Sequence, residues 1–257
     1  MRLTTLGTGT ISLAADRVCA GHLVQAGAVR LLLDCGGGVT HRLAQHGPAW
    51  RDITHVAFTH FHLDHVADFT SLVFAWKYAD RPGRSAPLVV IGPEGTIALM
   101  GRMADAFGDW MRAPGFELTI TEIAPGASLD LGDGVTLAAT KVPHTAESVA
   151  YSIVRGRGRV VYTGDMGYDP MFGEWARGTD LLLCECSLPS DLAIAEHLTP
   201  EQCGALAAAA LPKHLVLTHF YPPVERIDVR TAIAAHYAGP VTLAVDGAEF
   251  DIEEGSC

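Results

Sequence analysis

Residues 60 to 65 read His60-Phe61-His62-Leu63-Asp64-His65, three imidazoles and a carboxylate within six positions. Side chains two apart on an extended chain point the same way, so His60 and His62 face one centre. Asp64 and His65 open a helix and turn toward a second position. Imidazole and carboxylate donors suit Zn²⁺, and nitrogen and oxygen donors alone also admit manganese or iron. Asp64 could instead cap the following helix, but four such residues in six positions weigh against that reading.

A dinuclear site needs further ligands, and three candidates each follow an apolar run: His144 after Val142-Pro143, Asp165 after Thr163-Gly164, and His219 after Leu217-Thr218. Strand ends are where a rigid sheet presents side chains to a shared cleft. Taken singly, Asp165 reads as a turn former and either histidine as a core residue. One common site explains the three together. Cys184 and Cys186 share a face of an expected strand. Without further spaced cysteines or histidines nearby they read as buried packing rather than as a metal pair. With Cys19, Cys35, Cys203 and Cys257 they make six cysteines in 257 residues, too sparse for a secreted disulfide scaffold and consistent with reduced thiols.

The elements that must hold these residues begin with strand. Leu3 to Leu6 is an expected strand, and His22 to Gln25 with Val29 to Asp34 an expected hairpin. Alternation follows: helix Val39 to Gln45, strand Ile53 to Thr59, helix Asp64 to Tyr78, strand Leu88 to Ile91 and helix Thr96 to Met111. Shorter strands are expected at Glu117 to Ile123, Val135 to Val142, Ser148 to Val154 and Val160 to Thr163. The last third alternates strand Leu181 to Cys184, helix Pro200 to Ala210, strand Leu215 to Thr218, helix Val229 to Tyr237 and strand Val241 to Val245. Two strand-rich blocks, each followed by helices, predict an α/β four-layer αββα sandwich in one domain spanning residues 1–257. Hydrophobic residues make up 49% of the chain, enough for a sizeable core. The net charge of −11 disfavours extended nucleic acid and favours a small-molecule substrate. No run approaches the roughly 20 apolar residues of a membrane span, so a cytoplasmic protein without membrane association is expected.

The order of these motifs resembles the metallo-β-lactamase superfamily, and within it the ribonuclease Z-like branch, nearly end to end. The likeness covers Leu6-Gly7-Thr8-Gly9-Thr10, Leu33-Asp34-Cys35-Gly36, the HFHLDH segment, the lone His144, Tyr162-Thr163-Gly164-Asp165 and Leu217-Thr218-His219-Phe220. The resemblance implies that His60, His62 and His144 hold one zinc, that Asp64, His65 and His219 hold the other, and that Asp165 bridges both. It also implies that Asp64 orients or deprotonates the attacking water and that Asp34 orients ligands from behind. Glu196-His197-Leu198-Thr199-Pro200-Glu201-Gln202 is similar to the His-x-Thr element of the same enzymes. There the histidine faces the phosphate, which makes His197 a candidate proton donor. Thr199 is also a candidate cap for the helix it precedes.

Only 20 residues separate His144 from Asp165, an interval that holds a long arm in transfer-RNA-processing ribonuclease Z. Here it contains two expected strands and a tight turn with Arg155, Arg157 and Arg159. The resemblance therefore implies a hydrolase of small phosphodiesters, cyclic nucleotides or cyclic sugar phosphates, with homodimers common among relatives. The first alternative is lactone, carboxylic ester or thioester hydrolysis by the same metals, since Tyr168 stands at the offset of a substrate-contacting tyrosine in lactonases of this superfamily. The second is RNA 3′-end processing. A non-catalytic scaffold would be expected to have lost ligands, and none of the seven positions is vacant.

Overall fold

Most strands here bury both faces, which is why they read as nearly continuous apolar runs. A computed structural model describes residues 1–46 and 50–255, and Cys257 lies outside the described residues. Its strands form two seven-stranded mixed sheets. The first contains β1 (Arg2–Gly7), β2 (Gly21–Ala26), β3 (Val29–Leu33), β4 (His55–Ala57), β5 (Leu88–Gly92) and β6 (Leu118–Glu122) as successive neighbours. The second contains β7 (Ser128–Gly132), β8 (Val135–Lys141), β9 (Val149–Arg155), β10 (Gly158–Tyr162), β11 (Leu181–Glu185), β12 (His214–Thr218) and β13 (Val241–Leu243), also in sequence order. The final strand, β14 (Ala248–Asp251), returns to the first sheet and pairs antiparallel with β1.

Strands β3 to β6 pair in parallel, as do β10 to β13. Their connections include the helices α1 (Val39–His46), α2 (Leu63–Val66), α3 (Phe69–Tyr78), α4 (Thr96–Phe107), α5 (Pro170–Trp175), α6 (Pro200–Ala210) and α7 (Val229–Ala234). Leu31, Leu33 and Ile91 of the first sheet meet Leu137, Ile153 and Val216 of the second between the sheets. On the outside, Leu32, Val56 and Val90 pack under Phe69, Val73 and Trp76 of α3. Leu182 and Leu215 pack under Leu206 of α6 and Ile233 of α7. This is the four-layer αββα sandwich that the sequence predicts. In such sheets ligands gather beyond the carboxyl ends of the parallel strands.

Several elements differ from expectation. The helix expected from Asp64 to Tyr78 is broken into α2 and α3, because Asp68 has another task. Its carboxylate accepts from Gly38 N (2.9 Å), Thr40 N (3.0 Å) and Thr40 Oγ1 (2.7 Å) at the start of α1, tying the two helical segments together. Strands β7 and β14 and helix α5 were not expected. β7 buries only Leu131, and β14 has no fully buried residue, so neither carries a strong apolar signal. Phe74 of α3 and Phe107 of α4 are 48% and 56% exposed. No helix among the described residues is long and apolar enough to cross a membrane.

Candidate metal centre

The seven expected ligand positions converge at one edge of the sandwich. His60 and His62 lie in the segment after β4, Asp64 and His65 in α2, His144 in the β8–β9 connection, Asp165 just beyond β10 and His219 just beyond β12. Two groups form there, His60 with His62, His144 and Asp165, and Asp64 with His65 and His219, each with donor atoms within 4.8 Å of one another. Asp165 stands between them. Its Oδ2 is 3.8 Å from both His60 Nε2 and His144 Nε2. Its Oδ1 is 3.2 Å from His65 Nε2 and 3.3 Å from His219 Nε2. One oxygen thus faces each half. His62 Nδ1 approaches His144 Nε2 to 3.1 Å, and His219 Nε2 lies 3.5 Å from Asp64 Oδ2.

Backbone of uncommon conformation places these groups. Asp34 and His219 both adopt positive φ, +56° and +59°, sparsely populated by residues other than glycine and concentrated at functional sites. Gly164, φ +57°, lets Asp165 approach the HFHLDH segment, since a Cβ there would stand 2.7 Å from Thr59 Cβ.

Two acid–hydroxyl relays aim the imidazoles. Asp34 is fully buried and accepts from His65 Nδ1 (2.8 Å), Thr59 N (2.8 Å), Thr59 Oγ1 (2.9 Å) and Tyr162 Oη (2.9 Å). With its proton directed at Asp34, Thr59 Oγ1 is left to accept from His60 Nδ1 at 3.1 Å. One carboxylate therefore orients a ligand of each half, and leaves both Nε2 atoms pointing into the cluster. Glu185 repeats the scheme at the end of β11. It accepts from His197 Nδ1 (3.1 Å), from Met166 N and from Ser187 Oγ, whose oxygen stands 3.0 Å from His219 Nδ1. His144 Nδ1 donates to Glu196 O at 2.8 Å.

Donor chemistry and burial fit divalent cations. His60 Nε2, His65 Nε2, His219 Nε2 and Asp165 Oδ1 are buried without hydrogen-bond partners. Such orphans cost about 1–3 kcal/mol each unless something satisfies them. Donors bound at about 2.0–2.2 Å to one tetrahedral ion stand roughly 3.3–3.6 Å apart, close to the 3.2–3.8 Å spacings around Asp165. Burial works to raise the Asp165 carboxyl, but the imidazoles of His219, His65 and His60 outweigh it and hold the group well below the usual carboxylate range.

His197 is 8% exposed, and its ring centroid lies 5.0 Å from that of His144 and 5.5 Å from that of His219. Its ring nitrogen also converges with Asp165 and His219 as a third combination. Those two already belong to the paired groups, so His197 is the imidazole neither group requires. Burial lowers its basicity, but the Glu185 carboxylate prevails and the imidazole is pushed up to about 9. Thr199 caps α6, its Oγ1 accepting from Gln202 N (3.4 Å) while Gln202 Oε1 accepts from Thr199 N (2.9 Å). Tyr168 is 42% exposed.

Sequence reasoning missed Glu185, Ser187 and Tyr221. Glu185 left a signal, an acid ending the apolar run Leu181-Leu182-Leu183-Cys184, where burial demands a partner. Tyr221 is half-buried beside the cluster; burial, followed by Asp64, Asp165 and Glu185, pushes its phenol up to about 12. Cys184 and Cys186 are buried on the outer face, and α6 brings a third thiol to them. Cys203 Sγ donates to Glu185 O at 3.0 Å.

A family model described as Beta-lactamase superfamily domain matches residues 29–220, from β3 to the residue after His219. The chain belongs to that superfamily. As a member it is a metallo-hydrolase, and its His/Asp cluster is able to bind metal. It is 32% identical to an uncharacterised protein of Mycobacterium leprae, over 98% of this chain and 89% of the relative. It is 28% identical to ribonuclease Z of Mycobacterium sp. strain KMS, over 100% of this chain and 98% of that one. The crystal structure of the metallo-β-lactamase fold protein YhfI from Bacillus subtilis superposes with a TM-score of 0.83 at 26% identity, covering 97% of this chain and 98% of that one.

Proposed function

We propose that this metallo-hydrolase is a binuclear zinc phosphodiesterase of small substrates, a cyclic nucleotide or a cyclic sugar phosphate. In this reading His60, His62 and His144 hold one ion, Asp64, His65 and His219 the other, and Asp165 is shared. The observation that carries it is the Glu185–His197 pair, a buried imidazole held by a carboxylate beside the ligand groups and required by neither. With Nδ1 engaged by Glu185, Nε2 is the atom left to give a proton to a departing alkoxide. Zinc held by the two groups would supply Lewis acidity and make a nucleophilic water available near neutral pH. Asp64, at the cleft and 7% exposed, orients that water and accepts its proton. Asp34 and Glu185 keep the imidazoles aimed through the reaction.

Ribonuclease Z, by its name, acts on RNA, a phosphodiester polymer, which supports the bond type. The size of the substrate is argued from the β9–β10 turn. Arg155 there is spent on Asp133 and Glu254, and Arg159 on the carbonyls of Arg177 and Trp175. The turn also lies at the end of β10 opposite Asp165, about 17 Å away for a five-residue strand. Nothing in that interval resembles a grip for transfer RNA. The test is steady-state hydrolysis by zinc-loaded protein of bis-p-nitrophenyl phosphate, cyclic nucleotides, a lactone and thioester panel, and a precursor transfer RNA. A kcat/KM for a small phosphodiester at least about tenfold above the other classes is expected. Faster lactone or precursor cleavage would replace this reading with that alternative.

A further inference from the structure

Among the described residues, Tyr221 is the one non-histidine ring packed against both His197 and His219, its centroid 5.9 Å from each. The chain is built to put it there. The left-handed φ of His219 reverses the backbone just after β12, bringing residue 221 back to the cleft. Pro222 restricts the preceding residue to extended conformations. Tyr221 N donates to Ser187 O at 3.3 Å, and Tyr221 O accepts from Val224 N at 3.1 Å. The Thr10 side chain, from the β1–β2 connection, neighbours the phenol. Tyr168, by contrast, packs against neither of these imidazoles among the described residues and stands 42% exposed.

Every ion pair within the cluster joins a histidine to a carboxylate, and among the described residues no Lys or Arg is paired with any of its members. An anionic oxygen entering the cluster meets imidazoles there, and a pre-positioned O–H beside them is worth most where charge develops.

We propose that Tyr221 is a substrate-binding residue whose phenolic O–H donates a hydrogen bond to an oxygen of the group being hydrolysed. The proposal rests on the hydrolytic reading of the same cleft, and the donor serves a phosphoryl or an acyl oxygen alike. The role that sequence position suggests for Tyr168 passes to Tyr221, which reaches the cleft from another strand end.

The test compares zinc-loaded wild type with Tyr221→Phe, Tyr168→Phe and Thr10→Val. Each is measured for hydrolysis of bis-p-nitrophenyl phosphate and of a γ-lactone, for zinc content, and for calorimetric binding of inorganic phosphate. Loss of a hydrogen bond to a charged oxygen lowers kcat/KM by about 10- to 100-fold. That loss is expected for Tyr221→Phe, with zinc content unchanged, phosphate bound several-fold more weakly, and clearly smaller losses in the other two variants. A change below about twofold in Tyr221→Phe, loss of zinc in step with activity, or a greater loss in Tyr168→Phe would overturn the proposal. An equal loss in Thr10→Val would make the phenol a strut for the β1–β2 connection and overturn it as well. If the wild type cleaves lactone and not phosphodiester, the phosphodiester reading fails, while the Tyr221→Phe result on lactone and phosphate still decides the role of Tyr221.

Discussion

Asp165 is the residue on which the cluster turns, because its two oxygens face different sets of imidazoles. Asp165→Ala removes the shared donor from both halves. Turnover by this variant is expected to vanish and zinc content to fall below about one per chain by plasma mass spectrometry; His62→Ala abolishes turnover too. His197→Ala should behave differently, losing about 10²–10⁴-fold in phosphodiester kcat with near-normal zinc, as a proton donor outside the cage would. Equal loss of metal in that variant removes His197 from the catalytic list. Asp34→Ala is expected to weaken zinc affinity by about 10–100-fold in a chelator competition, since His65 and, through Thr59, His60 lose their orienting partner. The seven side chains that converge here were conspicuous in sequence because each is of a metal-binding type, and several stand at the ends of apolar runs. Glu185, Ser187 and Tyr221 were not, since their task is defined by neighbours that only the fold supplies.

At the scale of elements, the β4–α2 segment shows how a short stretch serves two centres. The chain is extended through His62, with ψ 149°, and then winds into α2, so His60 and His62 address one side and Asp64 and His65 the other. Helix α6 does related work for His197. Its first turn is closed by the Thr199–Gln202 capping box, fixing the chain two residues beyond the imidazole. Thr199→Ala is expected to cost about 1 kcal/mol of stability in a denaturant titration, with a smaller loss of kcat than His197→Ala. A stability unchanged within error would mean that Pro200 and tertiary packing alone hold the helix start. Strands with buried faces could be read from composition, and α6 was bounded correctly by its Thr-Pro start. The split between α2 and α3 could not, because it depends on Asp68 reaching the start of α1, a contact across 30 positions.

For the whole molecule, the two sheets form one apolar interior and bring their carboxyl ends to a common edge, where four buried polar atoms wait for partners. Cation binding should therefore stabilise the fold. With zinc about a thousandfold above its Kd the gain is about 4 kcal/mol per site, and removal by chelation is expected to lower Tm by on the order of 10 °C in calorimetry. An unchanged Tm would mean that the cluster holds no ion tightly. The acidic net charge of −11 and the engagement of Arg155 in ion pairs remote from the cluster argue against a long polyanion on this surface. The claim beneath all of this is that Asp165 sits between two metal ions. Anomalous diffraction at the zinc edge from crystals of zinc-loaded protein tests it directly. Two peaks about 3.5–4 Å apart, one on each side of the Asp165 carboxylate, are the expected result; a single peak, or peaks away from that residue, would contradict it.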